Sequence, residues 1–67
     1  MKIEFTKIGD EPMGHVELQD KKLVGSNTSM QRLVDMWLND GRTVEEFVQY
    51  YSDWTSGYVS SRLVPED

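Results

Sequence analysis

Cysteine is absent from the 67 residues, so disulfides, thiolate-bound zinc and a thiol nucleophile are all excluded. Histidine occurs once, as His15. Basic residues are scarce: seven Lys and Arg stand against twelve Asp and Glu, a net charge of −5 with His15 neutral. Nucleic-acid affinity comes largely from cations neutralising phosphates, so this balance argues against a free-standing nucleic-acid binder. It leaves open a chain that imitates nucleic acid or docks on a basic partner. No stretch approaches the roughly 18 apolar residues of a membrane-spanning helix. No Gly-rich phosphate-cradling loop is present either. A chain this short forms one domain or one subunit, and buries only about 60% of the surface that its unfolded form exposes.

What is present is a change of period. Residues 2–8 alternate, with Ile3 and Phe5 on one face and Lys2, Glu4 and Thr6 on the other, the signature of a half-buried strand. Residues 9–14 hold two glycines and Pro12 and read as a loop. His15 to Gln19 alternate again, and Asp20-Lys21 makes a tight turn into a short strand, Lys22 to Gly25. The spacing then becomes helical. Met30, Leu33, Val34, Trp37 and Leu38 form one stripe, opened by Asn27 or by a Thr28/Gln31 capping box and stopped at Gly41. A second capping box, Thr43 with Glu46, opens a second stripe of Val44, Phe47, Val48, Tyr51 and Trp54, which Gly57 stops. Tyr58 to Val64 alternate as a last strand.

The pattern predicts a single α+β domain, β-β-β-α-α-β, in which two short helices pack on one face of a small antiparallel sheet. Its parts are a β-meander over 1–25, a helix pair over 28–56, a last strand over 58–64 and an acidic tail over 65–67. The acidity is concentrated on the helical half, where Asp35, Asp40, Glu45, Glu46 and Asp53 face only Arg32 and Arg42.

Catalytic constellations are missing. Nothing in the sequence places an acid or a nucleophile beside His15, which is expected on the solvent side of its strand. Glu45 and Glu46 are adjacent, hence about 100° apart on a helix, and serve the helix dipole better than a substrate. The segment from Asn39 to Phe47 resembles half of an EF-hand calcium loop. Aligned on Gly41, however, it puts Met36, Leu38 and Phe47 where ligating oxygens belong. No catalytic residue, metal or cofactor is therefore expected. LVDMWLNDGRTVEEFVQYY is similar to the helix pair of small antitoxin-associated domains, which would imply a helix-turn-helix regulator. The second helix exposes Glu45, Glu46, Gln49 and Asp53, which phosphates would repel.

Met36 and Tyr50 fall beside the two stripes rather than in them. With Trp54, Tyr58 and Arg62 they bring together residue types enriched at protein interfaces. Met36, Tyr50, Trp54, Tyr58 and Arg62 are thus the candidate interaction patch. The competing reading has Tyr50 and Trp54 capping the open end of a small core. The polar last strand is a second candidate surface, able to accept a neighbour's strand.

The series Gly14-His15-Val16-Glu17-Leu18, Lys22-Leu23-Val24-Gly25-Ser26 and Ser52 through Val59 resembles small uncharacterised proteins of actinobacteria and their phages. It departs from them at Lys21, where such turns more often carry glycine. The resemblance implies a phage or prophage setting, and carries no activity and no functional residues. The expectation is a non-enzymatic interaction module, an accessory or structural subunit of a larger assembly such as a phage particle. It would bind a protein partner or itself, and no nucleic acid, membrane or small-molecule substrate. The opening MKIEFTKIGD has no apolar run of signal-peptide length, so the expected location is the cytoplasm or a virion assembled there. The alternative is a small acidic inhibitor, a nucleic-acid mimic acting through Asp35, Asp40, Glu45, Glu46 and Asp53.

Overall fold

The computed structural model describes residues 1–65, so beyond Pro65 the expected acidic tail lies outside the described residues. The strands are β1 (Lys2–Lys7), β2 (Glu11–Gln19), β3 (Lys22–Gly25), β4 (Thr55–Ser56) and β5 (Val59–Val64), with helices α1 (Thr28–Asn39) and α2 (Val44–Tyr51) between β3 and β4. They form one antiparallel sheet in the order β3-β2-β1-β5-β4. The expected α+β class and helix pair are present, with a two-residue strand added before the last one. No helix among the described residues is long and apolar enough to cross a membrane.

The first hairpin is tighter than the Gly and Pro content suggests. Gly9 and Asp10 take positive φ, 85° and 62°, and the chain turns at once, so β2 begins at Glu11 instead of His15. Pro12 is tolerated because β3 pairs only with residues 16–19 of β2. The proline therefore lies on an edge, where no ladder hydrogen bond is asked of it. Beside it the register slips, from Phe5 opposite Gly14 to Thr6 opposite Pro12, which leaves Met13 as the extra residue of a bulge. The second hairpin turns through Asp20 and Lys21, both at positive φ (50° and 65°), a two-residue primed turn built without glycine.

Asn27 caps α1. Its side chain accepts from Met30 N at 3.0 Å and donates to Met13 O at 2.9 Å, tying the helix start to the bulge. The expected Thr28/Gln31 box does not form. Gln31 instead accepts from Gly25 N at 3.1 Å and donates to Asp35 at 3.1 Å. The first turn of α1 then lies directly on Gly25, where a Cβ would come within 2.3 Å of Gln31 N. The Thr43/Glu46 box at the start of α2 forms in both directions.

α2 stops at Tyr51, one turn before the predicted stripe runs out at Trp54. The reason is Ser61, the one buried polar residue among those described. Its hydroxyl donates to Tyr51 O and accepts from Trp54 N, so a helix-end carbonyl and the next free N–H are both satisfied by β5. Ser61 N then donates to Trp54 O and Leu63 N to Ser52 O. The chain is drawn out along β5, and Gly57 serves a hairpin turn instead of a helix stop. The core between helices and sheet is Ile3, Phe5, Val16, Leu23, Met30, Val34, Trp37 and Phe47.

Candidate interaction groove

α1 packs along β3 and β2, while α2 is only eight residues long. Two such helices do not cover five strands. The part of the helix-side face left open has Phe5, Met13 and Val59 as its floor, Met30, Leu33 and Met36 as the α1 wall, and Tyr51 and Trp54 as the opposite wall. Ser29 and Arg32 stand at the α1 lip, and the groove encloses about 300 Å³. Three of the chain's four methionines line it. Met36 is 65% exposed, a large apolar side chain that this chain does not bury.

The aromatic wall is closely packed. Tyr51 sits at its centre, with ring centroids 4.7 Å from Phe47, 4.7 Å from Tyr50, 5.3 Å from Phe5, 5.4 Å from Trp54 and 5.5 Å from Trp37. Most of these pairs are edge-to-face, the geometry that ring quadrupoles favour. Burial, and next the neighbouring Tyr50, push the Tyr51 phenol above its ordinary value against the opposing effect of Arg42. Trp37 donates its indole N–H to Thr43 O at 2.8 Å, and the Arg42 guanidinium lies 4.6 Å above its ring.

The five residues of the expected patch separate here. Met36 and Trp54 share the groove. Tyr50, half exposed, adjoins it by stacking on Trp54 at 6.3 Å, and faces a shallow depression formed with Trp37, Arg42, Glu46 and Gln49. Tyr58 and Arg62 are elsewhere. Tyr58 is 77% exposed in the β4–β5 turn, where its carbonyl accepts from Ile8 N. Arg62 stands on the helix-free face, opposite Glu4 in register and 3.8 Å from its carboxylate. The expectation ran the α2 stripe on into β5, but strand alternation sends 58, 60 and 62 to the face that Ser61 does not share.

The five acids do not form one face either. Asp35 is bonded by Gln31 next to β3, and Asp40 caps the end of α1. Glu45 borders a cleft with Val44, Val48, Leu18 and Lys21, whereas Glu46 closes the Thr43 box beside Arg42. Asp53 leaves α2 next to Trp54. His15 lies on the helix-free face opposite Glu4, and its backbone N–H donates to Ser26 Oγ. No group of three or more His, Cys, Asp or Glu among the described residues is placed to hold a metal ion.

The last strand is not the free edge that its sequence suggested. It lies inside the sheet between β1 and β4, and its outer N–H groups at Ser61 and Leu63 are taken by Trp54 O and Ser52 O. At the other edge Gln31 covers Gly25 N, and Lys21 and Lys22 flank the four-residue β3. Short, charged, side-chain-capped edges oppose strand addition. Compared with protein families, with characterised proteins and with solved structures, the chain finds no match.

Beyond Met36 and Trp54, no residue of the groove carries an interface signal in the sequence. Phe5, Met30, Leu33 and Tyr51 read as core, which they also serve, and Arg32 as a surface charge. Met13 falls in the segment that reads as a loop, and its bulge follows only from the β1–β2 register.

Proposed function

We propose that this chain is a non-catalytic interaction module that docks on another protein through the Met36–Trp54 groove, as an accessory subunit of a larger assembly. The observation that carries this reading is an apolar groove in which Met36, 65% exposed, is joined by half-buried Met13, Leu33, Tyr51, Trp54 and Val59. Adaptable thioethers and rigid rings are the side chains that interfaces prefer. The resemblance to small actinobacterial and phage proteins supports a phage particle as the assembly, and the cytoplasm or the virion as the location. The inhibitor reading draws no comparable support, because its five carboxylates are spread over both helices and their ends.

The test is capture from an extract of the native cell by immobilised domain, with two variants run beside it. Met36→Glu places a charge in the groove, and Arg62→Glu alters the helix-free face equally. The expected result is a partner that Arg62→Glu retains and Met36→Glu loses, both variants being folded by circular dichroism. Loss with Arg62→Glu and retention with Met36→Glu would transfer the function to the opposite face and overturn the reading.

A further inference from the structure

Resting on the reading of the groove as a docking site, we infer that its occupant is an amphipathic helix of another protein that carries an acidic residue beside its apolar face. Three observations lead there. The first concerns backbone chemistry: an added strand needs a run of free N–H and C=O groups along an edge, whereas the outer N–H groups of β5 are taken by Trp54 and Ser52, Gln31 takes Gly25 N, Pro12 interrupts the unpaired end of β2, and the edge strands β3 and β4 are only four and two residues long. The groove itself lies on a sheet face, where only side chains are offered, and side-chain recognition is how a helix docks.

The second is its length. The α1 wall runs from Ser29 to Met36, about 10 Å at the helical rise, or two turns. Two turns of a partner helix lying along that wall present apolar side chains at i, i+3, i+4 and i+7. The unbranched, exposed Met36 on that wall adapts to whichever of them enters.

The third is charge. Among the described residues, Arg32 is the only charged one lining the groove. Among the described residues it makes no ion pair and no hydrogen bond, whereas Arg62 has Glu4 and Arg42 has the Trp37 ring. A guanidinium at the lip of an apolar groove is complemented by a carboxylate, which it can hold through two parallel bonds. The net charge of −5 does not cancel this preference: in about 0.15 M salt charges more than about 8 Å apart are largely screened, and Asp35, the nearer acid on α1, already accepts from Gln31. Inside the groove the nearest charge decides.

The experiment uses two synthetic peptides of about fifteen residues, long enough to sample a helix. Both carry leucine at i, i+3, i+4 and i+7, and their flanking positions hold glutamate in one and lysine in the other. Binding to the whole domain is followed by anisotropy of a dye on the peptide, in about 0.15 M salt. The glutamate peptide is expected to bind at least about tenfold more tightly, a difference of about 1.4 kcal/mol. Arg32→Glu should invert the order, and Met36→Glu should abolish both. If the lysine peptide binds better and Met36→Glu still abolishes it, the acidic occupant is wrong while the groove stands. If neither peptide binds, or Met36→Glu is without effect, the docking reading falls with it. A homodimer that Met36→Glu dissociates would make a second copy the occupant and overturn the inference.

Discussion

Replacing Gly25 by alanine tests the seat of α1 directly. The added Cβ would lie 2.3 Å from Gln31 N, 2.6 Å from Met30 C and 2.8 Å from Gln31 Cα. All three are backbone atoms, so no rotamer change relieves the overlap. The first turn of α1 must retreat by about 1 Å to restore ordinary contact. That retreat pulls Met30, 2% exposed, away from the core, and stretches the 3.1 Å bond between Gly25 N and Gln31. Overpacking of this kind costs about 1–3 kcal/mol, and the weakened hydrogen bond adds about 1 kcal/mol. At roughly 0.05–0.15 kcal/mol per residue, a chain of this length has only about 3–10 kcal/mol of stability. The assay is urea unfolding followed by tryptophan fluorescence. With a slope of about 1 kcal/mol per molar, a loss of about 3 kcal/mol lowers the midpoint by about 3 M. Gly57→Ala is the control: a Cβ there meets nothing within 4 Å and its φ is not positive, so the midpoint should hold within about 0.5 M. Equal effects at the two glycines would refute the argument from close approach.

Ser61→Ala removes the hydroxyl shared by Tyr51 O and Trp54 N; leaving two half-buried groups unmet costs about 1–3 kcal/mol, read as a lower urea midpoint. Lys21→Gly should raise stability by about 0.5 kcal/mol, read as a slightly higher urea midpoint, because relief of the left-handed backbone (φ 65°) outweighs the entropy lost with glycine. Tyr51 sets a pH limit. Its folded pKa lies above the ordinary 10.0, so the folded state holds the phenolic proton more strongly than the unfolded one. Its contribution is complete below about pH 10 and is lost as pH rises through the folded value. Tyr51→Phe should therefore flatten the alkaline fall in stability above about pH 10, and an unchanged fall would show that the phenol is not coupled to folding.

The elements that local rules describe were legible in the sequence. Alternation in Lys2–Lys7 and Lys22–Gly25, the stripe Met30–Val34–Trp37 and the reciprocal Thr43/Glu46 box each rest on residues within one helix or one strand. What stayed illegible depends on partners distant in sequence. Gln31 has the spacing of a capping residue for Thr28, but the free N–H of Gly25 lies within its reach only once β3 has paired. The bulge at Met13 is invisible until β1 and β2 are in register. Tyr58 and Arg62 share a parity along β5, yet the face that this parity selects is set by pairing with Glu4 and Thr6.

Ser61 ties these misreadings to the groove. By composition it is an unremarked serine in a polar last strand, at a position that alternation gives to the helix-covered face. A polar group placed there must find partners, and those within reach are the carbonyl that ends α2 and the N–H of Trp54. Meeting them stops the helix at Tyr51 and turns 52–54 into a cover for the edge of β5. Had α2 continued through Trp54, as the stripe of Val44, Phe47, Tyr51 and Trp54 predicts, residues 52–54 would be helix and would not take the outer N–H groups of β5. The same hydrogen bonds therefore both end α2 beside the groove and close the sheet edge. That favours recognition by side chains on the face over addition of a strand at the margin.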